Sequence, residues 1–360
     1  MAGRYAVIMA GGKGERFWPL STSKHPKQLL ALVGDKPLIA QAVDRLDGIM
    51  PPENIFVVTN AELVDATQKA APMLPAENIV GEPIGRDTAA AVACGGALVA
   101  AKDPNGVFAV LTADQVMGDL DVFGATLSGA MNLAEQNEIL VTIGIQPTFP
   151  STGFGYIESG DAFGEAEGVQ FKKAVRFVEK PDEQTAQTYL DTGTFFWNSG
   201  MFIWSVPTLL NAFADHCPEM KTLMDELTEY AVRGQMFHGL EKIYPTLGKI
   251  SINYALMEKA DNIVMACGTF LWDDVGSWPA LEGHFPKDEG GNTLIGDCQT
   301  LNATGNIVYS KDRLTAVIGV DNLVVVQADG VTLVCTKEKA QDIKQMVSKL
   351  LDNGSYEELL

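Results

Sequence analysis

Short, continuously apolar runs alternate with longer stretches of helical spacing through the first half of the chain. Tyr5 to Ala10 is unbroken apolar sequence stopped by Gly11-Gly12, the pattern of a strand buried on both faces. Leu38, Ile39, Ala42, Val43 and Leu46 then fall at helical spacing within Pro37 to Leu46. A strand is predicted over Asn54 to Thr59, a helix over Glu62 to Ala71, and an Ala-rich helix over Asp87 to Ala101. The strand Val107 to Leu111 runs directly into Thr112-Ala113-Asp114, followed by a helix over Phe123 to Gln136 and a strand over Ile139 to Ile145. This rhythm predicts an α/β fold, a mostly parallel, Rossmann-like mixed sheet flanked by helices.

The middle is less regular. Ser151 to Tyr156 reads as a Gly-rich loop, Phe171 to Glu179 as a strand ending in Lys180-Pro181, and Thr194 to Trp204 as an aromatic-rich segment. One long helical region is expected over Pro207 to Arg233. Pro, Gly and charge in His284 to Asn292 mark a domain boundary. Beyond it short strands are predicted at Asn306 to Ser310, Thr315 to Gly319, Leu323 to Gln327 and Val331 to Cys335. An amphipathic helix over Lys337 to Leu351 carries Ala340, Ile343, Val347 and Leu350 on one face. The expected division is a large domain over 1–285, a small β-rich domain over 290–336, and a C-terminal helix and tail over 337–360.

Composition narrows the function. A formal net charge of -20 repels a phosphate backbone, and the basic residues are scattered, so no nucleic-acid partner is expected. Five cysteines without a CxxC pair favour neither a disulfide framework nor a zinc site, and a reducing cytoplasm is the natural compartment. No apolar run is long enough to span a bilayer, so no membrane association is expected.

The most informative segment is Gly11-Gly12-Lys13-Gly14-Glu15-Arg16-Phe17-Trp18-Pro19-Leu20. A strand enters glycines, so the backbone N–H groups can approach a phosphate, and Lys13 and Arg16 bring charge to the same place. A dinucleotide-binding fingerprint would need Gly where Phe17 stands, and a Walker loop would need Ser or Thr where Gly14 follows Lys13. Two glycines alone would be an ordinary turn. Pro26-Lys27-Gln28 shortly downstream adds a third cation and makes a phosphate site the better reading.

This long, gapped pattern resembles the opening signature of the sugar-phosphate nucleotidyltransferases. Trp18 and Gln28 are similar to the branch that acts on GTP and mannose 1-phosphate. Later segments resemble the family in the same order. Glu82-Pro83-x-x-Arg86-Asp87-Thr88 looks like the base and ribose segment, and Phe177 to Pro181 like the sugar-phosphate segment. Trp197 to Phe202 is similar to the sugar-pocket segment, and Trp272-x-Asp274-Val275-Gly276 to the segment carrying a second metal ligand. The C-terminal strands resemble the small, β-helix-like domain that follows the catalytic domain in this branch.

The resemblance implies that Ala10, Gly11, Gly12, Lys13, Gly14, Arg16, Glu82, Arg86 and Thr88 bind the nucleotide, and that Gly155, Tyr156, Glu179, Lys180 and Asn198 bind the sugar phosphate. Arg16, Lys27, Asp114 and Asp274 are the expected catalytic residues, with Asp114 and Asp274 holding Mg2+ and Asp273 ranked behind Asp274. Taken singly, Asp114 reads equally as a helix cap, Lys180 as a solvated strand end and Asn198 as a turn former. Together, two carboxylates make the sparse site that Mg2+ prefers. Phe195, Phe196, Trp197, Phe202 and Trp204 are expected in the core, and His25, His216, His238 and His284 are given no role. Gln115, Asn253 and Asp87 depart from the residues usual in the family. The implied reaction needs no general base, because a sugar phosphate is already an anionic nucleophile, and the implied assembly is a homodimer. The rivals are a relative using another base or sugar, and a non-catalytic nucleotide sensor.

Overall fold

The apolar run Arg4–Ala10 forms β1 and lies at the heart of a nine-stranded sheet. The computed structural model describes residues 2–360 except Ser355, Glu357 and Glu358, which fall in the tail expected over 337–360. The strands that follow are β2 Ile55–Asn60, β3 Ile79–Glu82, β4 Val107–Thr112, the two-residue β5 Val116–Met117 and β6 Leu140–Ile145. After them come β7 Tyr156–Ala166, β8 Val169–Val178, β9 Phe195–Ser205, β10 Ile263–Gly268 and the two-residue β11 Trp272–Asp273. The large sheet has the order β3-β2-β1-β4-β9-β6-β10-β8-β7, with β7 also pairing β9.

Half of this sheet is parallel: β1 pairs β2 and β4 in that sense, with Ala6 opposite both Ile55 and Ala109. The other half is mixed, because β9 runs antiparallel to both β4 and β6. The aromatic segment expected over Thr194 to Trp204 is therefore a central strand. It shows no alternation because both of its faces are covered, and Phe195, Phe196, Trp197, Phe202 and Trp204 are all buried.

The helices that precede β9 are α1 Leu38–Asp44, α2 Val64–Ala70, α3 Thr88–Lys102, α4 Leu120–Gln136 and α5 Glu183–Thr192. Helix α3 supplies an almost entirely small and apolar surface to the core. The region Pro207 to Arg233 is two helices, α6 Val206–His216 and α7 Pro218–Val232, and α8 Met236–Ile243 follows them. Cys217 interrupts the region, since a residue before proline is driven out of helical geometry.

The chain folds as two compact units that are not consecutive stretches. The first comprises 1–11, 42–113 and 117–272, and the second 12–41, 114–116 and 273–360. The second unit contains β12 Thr293–Leu301, β13 Ile307–Ile318, β14 Leu323–Ala328 and β15 Val331–Thr336. Strands β12, β13 and β14 are parallel, and β15 closes the sheet antiparallel. The two strands expected between Asn306 and Gly319 are one bent strand, whose register against β12 shifts between Gly296 and Cys298. Successive turns are tied by asparagines: Asn306 donates its backbone N–H and its Nδ2 to Asn292 Oδ1, and Leu323 N–H donates to Asn306 Oδ1. This ladder satisfies polar groups that parallel, short-connected strands bury.

Helix α9, Ile343–Asn353, follows a 3-10 turn over Lys337–Asp342. Its buried residues Ile343 and Val347 share a core with Phe17, Trp18 and Trp278. Among the described residues no helix is long and apolar enough to cross a membrane.

Candidate active site

The second unit brings the glycine-rich loop, Lys27, Asp114 and Asp274 into one place. Gly14 has φ +62°, and a Cβ there would stand 2.3 Å from Lys27 Cβ. Only glycine tolerates both the left-handed backbone and that approach. The carbonyl of Gly14 accepts from Phe17 N–H at 2.9 Å and from Ser21 Oγ at 2.6 Å, which curls Glu15–Phe17 into a 3-10 turn. Phe17 then anchors the loop in the core against Trp278, with ring centroids 5.4 Å apart. Arg16 is thereby turned outward and donates to Gly276 O at 2.9 Å.

Lys27 is buried, yet its ammonium lies 3.0 Å from Asp114 Oδ2 and also donates to the carbonyl of Asp274. Withdrawal from water pushes the Asp274 carboxyl up to about 6, with Lys27 opposing the rise, Asp273 and Asp114 adding to it, and Arg16 opposing it. Asp273 is already occupied: Oδ1 accepts from Val275 N–H at 2.7 Å and Oδ2 lies 2.8 Å from His284 Nε2. His284, given no role from the sequence, is thus the partner that holds Asp273. Among the described residues no group of three His, Cys, Asp or Glu side chains forms a metal cage. Two carboxylates without such a cage fit Mg2+, which keeps waters and takes its remaining ligands from phosphate oxygens.

The same pocket, of about 540 Å³, is also lined by Lys344 and Ser348 of α9. No motif marks them. The available signal is local: Lys344 sits in the first turn of a helix, where a cation works against the helix dipole.

In the first unit Glu82, Arg86 and Thr88 gather around the segment 244–252. Arg86 is committed to backbone, its Nε donating to Tyr244 O at 2.9 Å and its Nη2 to Pro245 O at 2.7 Å. Thr88 Oγ1 accepts from Ile252 N–H at 2.8 Å. Asp87 has φ 69° and accepts from Thr88 N–H at 2.7 Å, so either Asn or Asp meets both demands of this position. Glu82 is different. It is buried with Oε1 lacking a hydrogen-bond partner among the described residues, and burial pushes its carboxyl up to about 7 against a hydrogen bond from Tyr244. Ala10 lies next to this set in the sheet, its carbonyl accepting from Thr59 Oγ1 at 3.0 Å.

The expected sugar-phosphate residues also converge. A Cβ on Gly155 would meet Glu179 Oε2 at 3.2 Å and Asn198 Cβ at 3.6 Å, and Gly155 O accepts from Asn198 N–H at 2.8 Å. Lys180, at φ 39°, holds its ammonium 3.3 Å from Glu179 Oε1. Such a backbone conformation in a lysine is costly and is common at binding sites. Tyr156 is fully buried with its hydroxyl donating to Ser151 O at 2.8 Å, so it shapes this loop from beneath. Asn253 Oδ1 is buried without a hydrogen-bond partner among the described residues.

Comparison with known proteins places the chain in a family. Residues 5–290 match the family model for nucleotidyl transferases, and residues 296–350 match the mannose-phosphate isomerase/GMP-like β-helix domain. A mannose-1-phosphate guanylyltransferase of Klebsiella pneumoniae is 36% identical over 354 residues, covering 98% of this chain and 74% of that one. One from Escherichia coli K12 is 35% identical over 361 residues, with the same coverage. A crystal structure from Thermus thermophilus, described as a mannose-1-phosphate geranyltransferase, superposes with a TM-score of 0.85 at 33% identity, over 96% of this chain and 99% of that one. The chain belongs to the nucleotidyl transferase family, among the mannose-1-phosphate guanylyltransferases.

Proposed function

We propose that the protein transfers a guanylyl group from GTP to α-D-mannose 1-phosphate, releasing pyrophosphate and forming GDP-mannose. A phosphate oxygen of the sugar attacks the α-phosphorus, and the bond from that phosphorus to the oxygen bridging to the β-phosphate breaks. The acceptor is already anionic, so no general base is needed; alignment and charge are the barrier.

The observation that carries this reading is the buried Lys27 held between Asp114 and the carbonyl of Asp274, with Arg16 on the neighbouring carbonyl. Lys27 stabilises negative charge growing on the α-phosphate, and Arg16 with Lys13 holds the β- and γ-phosphates. Asp114 and Asp274 are the residues that would hold Mg2+, which neutralises phosphate charge when bound. Glu82, Arg86 and Thr88 lie together in the segment that would hold the base and ribose. Lys180 seats the phosphate of the acceptor, while Glu179 and Asn198 take sugar hydroxyls.

Incubation with GTP, mannose 1-phosphate and Mg2+ should release pyrophosphate faster than any pairing with ATP, UTP or glucose 1-phosphate. Preference for another pair would replace the substrates and leave the phosphate chemistry. Silence with every pair would refute catalysis and favour a nucleotide sensor.

A further inference from the structure

The phosphate pocket carries more positive charge than the motifs account for. Besides Lys13, Arg16 and Lys27 it is lined by Lys344, an exposed residue on α9. Three facts set this lysine apart. Among the described residues no acidic side chain forms an ion pair with it, although the protein carries 46 acidic residues against 26 Lys and Arg. It occupies the first turn of an 11-residue helix, where a positive charge is locally unfavourable, and the N-cap Asp342 is engaged instead by Lys339 and Gln345, each at 3.3 Å. Its neighbours Ile343 and Val347 are buried in the core that also holds Phe17, so the helix is fixed against the loop that bears Arg16. Ser348, one turn on, lines the same pocket, its hydroxyl donating to Lys344 O at 3.1 Å.

A cation without an acidic partner among the described residues, lining one pocket with Lys13 and Arg16 and placed in the first turn of its helix, is arranged to meet an anion. We propose that Lys344 is a further phosphate-binding residue, which holds the β,γ-phosphate end of the nucleotide and hence the departing pyrophosphate. This rests on the phosphate-pocket reading above, but not on the identity of the base or the sugar. The C-terminal helix then completes the site in addition to packing the β-rich strands, and Lys344 governs affinity for the leaving group.

The test is direct binding of pyrophosphate, in the presence of Mg2+, to the full-length protein by titration calorimetry. Lys344→Gln should weaken pyrophosphate about ten-fold or more, the worth of one hydrogen bond between charged groups. Lys344→Arg should restore most of the affinity. Lys349→Gln removes the same charge from an exposed position of the same helix that does not line the pocket, and should bind like the parent. In turnover assays Lys344→Gln should raise KM for the nucleotide, and for pyrophosphate in the reverse direction, while KM for the sugar phosphate stays put. Thermal melting confirms that each variant is folded. Pyrophosphate binding by Lys344→Gln within about two-fold of the parent, or equal weakening by Lys349→Gln, would overturn the proposal. Because pyrophosphate carries neither base nor sugar, the comparison keeps its meaning whichever substrates the enzyme prefers.

Discussion

Lys27 and Asp114 form an ion pair in which the cation is the buried partner: the lysine side chain is 7% exposed and the aspartate 42%, with 3.0 Å between Nζ and Oδ2. An exposed carboxylate can exchange its partner for a metal ion or a phosphate-bound cation without being stranded in a dry interior. The lysine is aimed by its burial and waits neutralised. Lys27→Ala should lower kcat on the order of 10² to 10³-fold, as removal of one transition-state contact does. Steady-state rates with matched circular dichroism spectra check this, and near-normal turnover would remove the role.

Asp273 and Asp274 are adjacent yet differently employed, and their amides should separate the roles. Asp274→Asn should abolish most Mg2+-dependent turnover with little loss of stability. Asp273→Asn weakens the contacts to Val275 and His284, so it should lower stability by about 1–2 kcal/mol, the usual worth of hydrogen bonds to a charged group. Removing its charge also relieves repulsion on Asp274, which should then ionise at lower pH. Equal effects of the two variants on Mg2+ dependence would contradict this division.

Gly14→Ala tests whether the loop's backbone, rather than its charge, seats Lys27. The added methyl would overlap Lys27 Cβ at a left-handed φ, so both the loop and the lysine must shift. The expected result is a loss of about 1–3 kcal/mol in unfolding free energy, as overpacking typically costs. A fall in kcat comparable to that of Lys27→Ala should accompany it. Retained activity would mean that Lys27 need not stand where it does.

Glu82 predicts a pH dependence of stability. Its folded value is raised by burial to about 7 from 4.5. Between those values the folded protein keeps a proton that the unfolded chain has lost. The contribution of Glu82 therefore falls as pH rises through this window and levels off above it, by about 3 kcal/mol in all. Glu82→Gln stays neutral throughout. The stability of the variant relative to the parent should grow between about pH 5 and pH 7, measured by denaturant midpoints. A constant difference would show that Glu82 is ionised in the folded state.

Local sequence determined a good deal of this protein. The buried parallel strands, the Ala-rich helix and the amphipathic C-terminal helix are legible because continuous apolar runs and 3.6-residue spacing are properties of neighbours along the chain. The glycine-rich loop with its nearby cations is legible in the same way, whereas Asp114 and Asp274 stand out only through the resemblance to the family. Other features depend on partners far away in the chain. Strand β9 became central only because β4 and β6 cover it from either side. Asp273 and Asp274 look alike in sequence and part company only where His284 captures one of them. Arg86 reads from the sequence as part of a base and ribose segment, and only the fold brings the carbonyls of Tyr244 and Pro245 to its guanidinium. The loop Gly12 to Gln41 joins Asp273 to Leu360 in one unit, which brings Lys344 to the phosphate pocket from the far end of the chain. Periodicity and propensity reach a few residues; ion pairs, burial and pocket lining are set by whichever side chains the finished fold makes neighbours.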